Sequence, residues 1–219
     1  MNRVSLHASS VLVVCAHPDD ESFGLGGVLT TVGDTGTRLS VLCFTHGEAS
    51  TLHGVAGDLA VIRAAELEAA GAILGVTYLE LVDYPDGDLA AQPLEVLADH
   101  LCRVAHDVSA DSLLVFDDGG ITGHPDHQRA TDAARLAGVA LGIPVVAWAL
   151  PAKVADGLND EFGTAFVGRS DDQLDAAITV DRARQLAAIA CHRSQSADNP
   201  VLWRRLDLLG SSEHLRRLT

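Results

Sequence analysis

One junction constrains this chain more than any other. The apolar run Val11-Leu12-Val13-Val14-Cys15 stops abruptly at Ala16-His17-Pro18-Asp19-Asp20-Glu21. A short β-rich run that opens into ionisable residues is how an open α/β sheet presents chemistry, because such sheets bind ligands outside the carboxyl ends of their strands. Pro18 has no N–H for a strand ladder and disfavours helical backbone at His17, so the chain must turn out of the sheet here. The turn gathers an imidazole and three carboxylates. That much local negative charge is costly unless a cation neutralises it, which makes the turn a candidate metal site.

The rest of the chain repeats the strand–helix alternation. Arg38 to Phe44 reads as a second strand and opens into Thr45-His46-Gly47-Glu48. Asp58 is placed to cap a helix that carries Ile62, Leu67, Ala70 and Leu74 at near-helical spacing up to Gly75. Val76 to Leu81 reads as a third strand, Leu94 to His106 as a helix, and Ser112 to Phe116 as a fourth strand. That strand opens into Asp117 to His127, an alanine-rich helix runs to about Gly142, and Pro144 to Ala149 forms a fifth strand. Residues 150–172 read as irregular, 176–180 as a short strand, and Asp181 to His192 and 200–209 as helices. The expectation is one α/β domain over residues 1–219, with a parallel sheet covered on both faces, a core over 10–196 and a helical tail over 197–219. The 219 residues, 47% of them hydrophobic, suffice for such a core.

A formal net charge of −15 argues against nucleic acid or an anionic membrane surface as a partner. Cys15, Cys43, Cys102 and Cys191 are far apart with no C-x-x-C spacing, as free thiols in a reducing compartment would be. The apolar run after Arg3 is too short for a signal peptide, and no stretch approaches a membrane span. The protein is expected to be cytoplasmic.

Two clusters carry the chemistry. His17 and Asp20 follow the first strand, and His124 and His127 follow the fourth. Neighbouring parallel strands end on one sheet edge, so the clusters can meet although far apart in sequence. Two histidines and a carboxylate with a free corner hold a catalytic zinc. A dinucleotide-binding oxidoreductase fits less well, because Gly24, Gly26 and Gly27 lack the G-x-G-x-x-G spacing and follow ionisable sequence. A phosphoacceptor domain would need a lysine at a later strand end, and the only lysine, Lys153, follows a proline in an irregular stretch.

Ala16-His17-Pro18-Asp19-Asp20-Glu21 together with Gly123-His124-Pro125-Asp126-His127 resembles the PIG-L/LmbE-like N-acetylglucosaminyl deacetylases. Further matches are Thr45 with Gly47-Glu48, Arg63 with Glu66, Asp83 with Asp86-Gly87, and His192 with Ser194-Gln195. The resemblance implies a Rossmann-like three-layer α/β/α domain. It also implies a hydrolase that removes an N-acyl group, an acetyl above all, from a small amino-sugar metabolite. One Zn2+ per chain is implied, though another divalent metal would suit the same donors, and a homo-oligomer is compatible with the sequence. By the same resemblance His17, Asp20 and His127 ligate the metal and Asp19 is the general base. His124 is the acid or electrophile, supported by Asp126, and Arg63 holds the active-site carboxylate or the substrate. Glu48 and Asp83 are expected as substrate-binding residues of the pocket wall, and Glu21 as a carboxylate orienting a ligand. Two departures stand out: Gln185 replaces a frequent lysine, and Thr122 a tyrosine of some members.

Overall fold

The computed structural model describes residues 8–52 and 56–219. Strand β1 (Ser10–Cys15) leads through the short helix α1 (Asp20–Phe23) to α2 (Gly26–Gly33) and β2 (Arg38–Thr45). Helix α3 (Leu59–Leu74), β3 (Val76–Tyr84), α4 (Leu94–Asp107) and β4 (Ser112–Phe116) follow. A one-turn α5 (Gly120–Gly123) abuts α6 (Pro125–Leu141), which leads to β5 (Val145–Trp148), β6 (Leu150–Pro151) and α7 (Ala152–Phe162). The chain closes with β7 (Gly168–Arg169), β8 (Ala176–Thr179), α8 (Ala183–Ile189), α9 (Arg193–Ser196), α10 (Pro200–Leu209) and β9 (Ser212–Arg217).

Seven strands form one sheet in the order β3-β2-β1-β4-β5-β9-β8. The first five are parallel, and β9 pairs antiparallel with both β5 and β8. Every residue of β1 is buried because both sheet faces are covered. Val11, Val13 and Cys15 pack into a core with α2 and α3 residues, whereas Leu12 and Val14 pack against α4 and α6. Each such fully buried Val or Leu stabilises the fold by roughly 1.5–3 kcal/mol. Helix α3 starts where Asp58 accepts hydrogen bonds from the Ala60 and Val61 amides, and stops at Gly75 with φ of 81°.

The strand order reverses between β1 and β4, which lie side by side with Val13 opposite Leu114. This is the switch point at which open α/β sheets leave a crevice for ligands. It receives both motif-bearing loops.

Two expectations are corrected. Residues 150–172 are not irregular throughout: α7 buries Val154, Ala155 and Leu158 on one face. Gly157 and four acidic or amide residues in its eleven break up the apolar spacing in the sequence. The tail after 197 is not wholly helical either, since β9 enters the sheet with Glu213 and Leu215 pointing inward. A buried glutamate in a charged six-residue stretch reads as solvated surface until its partners are known. No helix among the described residues is long and apolar enough to cross a membrane, and all four cysteines are free.

Candidate metal centre and active site

Pro18 turns the chain after β1 so sharply that Asp19 adopts φ of 117°, in the region L-residues avoid. Its surroundings fix that backbone. The Asp19 amide donates to Glu21 Oε2 at 2.9 Å, and Glu21 Oε1 takes hydrogen bonds from Ser22 Oγ at 2.5 Å and His192 Nε2 at 2.6 Å. Glu21 and His192 are fully enclosed. The Asp19 carboxylate accepts from Arg63 Nη2 at 3.0 Å. Buried Arg63 also donates to the carbonyls of Gly47 and Pro18. Gly47 has φ of 65°, and a Cβ there would lie 2.3 Å from Arg63 Nη1, so the loop after β2 has to be glycine at this point.

The two clusters meet. His17 Nδ1 and His127 Nε2 face each other at 3.2 Å, and His127 Nε2 is 3.1 Å from Asp20 Oδ1. The outer nitrogen of each ring faces an acceptor. His127 Nδ1 is 3.1 Å from the Gly120 carbonyl, and His17 Nε2 is 3.0 Å from Asp86 Oδ1 and 3.4 Å from Asp126 Oδ2. Donation outward leaves two lone pairs pointing at one another beside a carboxylate, an arrangement that a cation satisfies. His17, Asp20 and His127 offer ligand atoms all within 4.8 Å of one another. The donor set therefore fits a divalent ion, and imidazole and carboxylate are what zinc accepts.

Without a cation, the carboxylates around His17 hold a proton there in its place. Burial works against charge on His17, but its hydrogen bonds to Asp126 and Asp86 outweigh that and push it up to about 10. Burial also works against ionised Asp20, yet His127 and His17 hold it well below the usual carboxylate range. Asp19 is raised to about 6 by burial, against the pull of Arg63. Burial, with His127 and His17 beside it, lowers His124.

His124 lies just before α6, and its Nδ1 accepts the Asp126 amide at 3.2 Å. The ring proton is then on Nε2. The Asp126 carboxylate does not hydrogen-bond His124; it binds the Gly87 and Leu89 amides at 2.8 and 3.1 Å and approaches His17. Asp126 thus reaches His124 through its backbone amide, while its carboxylate braces the 87–89 loop and a candidate ligand. Glu48 and Asp83 stand outside the cavity wall, contrary to expectation. Exposed Glu48 accepts the Asp86 amide, and the Asp83 side chain, 93% exposed, meets His46. Register explains this: Asp83 is still within β3, and the residue delivered to the site is Asp86, in the turn that follows.

A cavity of about 620 Å3 opens over these groups, reached by Asp19, Thr122, His124, Asp86 and, from α10, Arg205. Arg205 and Asp86 were not singled out as site residues in the sequence. Asp86 stood in a motif already quoted; Arg205, in an ordinary amphipathic stretch, gave no signal. Gln185 is buried and donates to the Ser22 and Phe23 carbonyls, holding α1 from behind. His46 and His100 pair with carboxylates, whereas His7 and His53 lie outside the described residues.

Fold and site together define a doubly wound α/β protein with a His–Asp–His centre suited to a metal ion at its switch point. The chain belongs to the PIG-L family: the family model described as GlcNAc-PI de-N-acetylase matches residues 12–137. A Schizosaccharomyces pombe protein named as a probable N-acetylglucosaminyl-phosphatidylinositol de-N-acetylase is 32% identical over 126 residues, 56% of this chain and 49% of its own. This chain thus spans about half the length of that relative. A 1D-myo-inositol 2-acetamido-2-deoxy-alpha-D-glucopyranoside deacetylase of Salinispora arenicola is 29% identical over 240 residues, covering 88% of this chain and 78% of that one. A deacetylase of the teicoplanin biosynthesis pathway superposes with a TM-score of 0.75 at 20% identity over 95% of this chain and 97% of that one. A 4-carboxy-2-hydroxymuconate hydratase from Pseudomonas putida does so with 0.74 at 19% identity over 96% of each. At such identities these two structures speak for the fold alone.

Proposed function

We propose that the chain is a zinc-dependent N-deacetylase acting on a small N-acylated amino sugar or its conjugate. The observation that carries this reading is the pair of inward-facing imidazole nitrogens of His17 and His127, 3.2 Å apart beside Asp20, with the Asp19 carboxylate held next to them by Arg63. His17, Asp20 and His127 would hold the ion. When bound there, zinc lowers the pKa of water from 15.7 to about 7 and polarises an acyl oxygen.

The chain's own groups do the rest. Asp19, raised to about 6, is ionised at neutral pH and still basic enough to take a proton from the attacking water. Water oxygen bonds to the acyl carbon, the C–N bond breaks, and Asp19 returns its proton to the leaving amine. His124 Nδ1 is engaged by the Asp126 amide, so its Nε2–H is the group offered to the developing oxyanion. This geometry favours the electrophile over the acid among the two roles expected for His124. Arg63 keeps Asp19 aimed, and Asp86 and Asp126 keep the His17 ring in place.

A protein named as a hydratase has the same fold, so the fold by itself does not choose the reaction. Relatives named as amino-sugar deacetylases favour the amide. The test is amine release from a panel of N-acetylated sugars, with metal content measured alongside. Asp19→Asn should retain the ion and lose about 10²–10⁴-fold in kcat. His127→Ala should lose the ion. Near-native turnover in Asp19→Asn, or unchanged metal in His127→Ala, would overturn the assignment.

A further inference from the structure

Arg205 is the buried cation that the proposed reaction does not use. It lies on α10, is 8% exposed and lines the catalytic cavity. Its Nη2 donates to the Phe23 carbonyl at 2.8 Å, and the guanidinium sits 5.4 Å from the centre of the Trp148 ring. Nε is buried with no hydrogen-bond partner, and among the described residues the guanidinium's one hydrogen bond is that of Nη2. No carboxylate among the described residues forms an ion pair with it, and those nearby are engaged elsewhere. Glu213 gives Oε1 to Arg182 at 2.5 Å and Oε2 to the Trp148 indole at 2.6 Å, Asp19 is held by Arg63, and Asp20 by His127. Burial lowers Arg205 to about 10, which leaves it charged at neutral pH.

An enclosed guanidinium with unused donors is costly unless something completes it. A planar fork with free N–H groups recognises carboxylate and phosphate above all else. Phe23, Val201 and Leu202 line the same cavity, so an anion entering there would meet Arg205 in surroundings of low polarity, where the attraction is strongest. We propose that Arg205 is an anion-binding subsite, and that the substrate is an N-acyl amino sugar carrying a carboxylate or a phosphate. This rests on the deacetylase reading for the sugar but not for the anion. The overall charge of −15 disfavours polyanions, while a single anionic group drawn to a local buried cation is a different case.

Two measurements separate the two claims. In the first, amine release is compared for N-acetylglucosamine, its 1- and 6-phosphates, and its 3-O-lactyl ether, which carries a carboxylate. Wild type should prefer one anionic member by about tenfold or more in kcat/KM, and Arg205→Met should lower the ratio of anionic to neutral kcat/KM by a similar factor. Which member is preferred distinguishes phosphate from carboxylate. In the second, the thermal shift of metal-free protein is recorded with inorganic phosphate and with malonate. Wild type should be stabilised by at least one, and Arg205→Met should lose that shift. If Arg205→Met does not fold, Arg205→Lys, which keeps the charge without the fork, should cut the selectivity ratio by about threefold or more. Equal anion shifts in wild type and variant, or none in either, would overturn the subsite. An unhydrolysed panel with the Arg205-dependent shift intact would overturn the deacetylase reading and leave the subsite standing.

Discussion

At the scale of single residues, the strained backbone of Asp19 is held in place by a carboxylate that never reaches the cavity. Glu21 accepts from the Asp19 amide, the Ser22 hydroxyl and His192, so both of its oxygens are engaged. Glu21→Gln replaces one acceptor by an NH2 group and loosens the residue that aims the base. The expected result is a fall in kcat on the order of 10²-fold, the cost of misplacing a catalytic group by about 1 Å, with KM and metal content little changed. Steady-state kinetics with elemental analysis checks this, and an unaltered kcat would remove Glu21 from the positioning of Asp19. The residues His17, Asp19, Asp20, His124 and His127 stood out in the sequence because two short His-Pro-Asp motifs each lie in a loop that follows an apolar strand run. Asp86 and Arg205 were not singled out there, since a residue two positions beyond a strand or on an amphipathic helix is unremarkable until its neighbours are known.

At the scale of elements, α4 is tied to the edge strand β3 through Glu80. Its carboxylate accepts from Tyr78 at 2.5 Å and from His100 and Arg103 at 2.6 Å each. Burial resists its ionisation, but these three hydrogen bonds prevail and hold Glu80 at about 2. A carboxylate whose pKa is lower in the folded than in the unfolded chain stabilises the fold above the unfolded value near 4.5, and that contribution disappears as pH falls toward 2. Glu80→Gln should therefore cost ~1 kcal/mol at pH 6, after solvent screening, and progressively less below pH 4.5. Urea unfolding of both proteins at pH 6 and pH 3 measures it; a difference that does not shrink at pH 3 would assign the loss to packing instead. The parallel strands and α3 were legible because apolar runs and the Asp58 cap are local signals. Helix α7 was not, because its apolar face is only a few residues long and its meaning depends on the wall it covers.

At the scale of the whole molecule, β9 closes the sheet. Among the described residues it supplies the only strand partner of β8, covers the edge of β5, and brings Glu213 to the Trp148 indole and to Arg182. A chain ending at Gly210 leaves Trp148 Nε1 and Arg182 without that carboxylate and uncovers buried Leu215's site. It should lose cooperative melting and bind a hydrophobic dye, as a collapsed chain without fixed packing does; a sharp native-like transition would show β9 to be dispensable. The sequence by itself determined the alternation of strands and helices and the two ionisable loops, because strand runs, caps and prolines act over a few residues. Only the tertiary structure decided which carboxylate faces which imidazole, that β9 is a strand, and that Arg205 lines the cavity. Those outcomes depend on burial and on partners as far as 182 positions away, as Arg205 is from Phe23, and no local pattern encodes them.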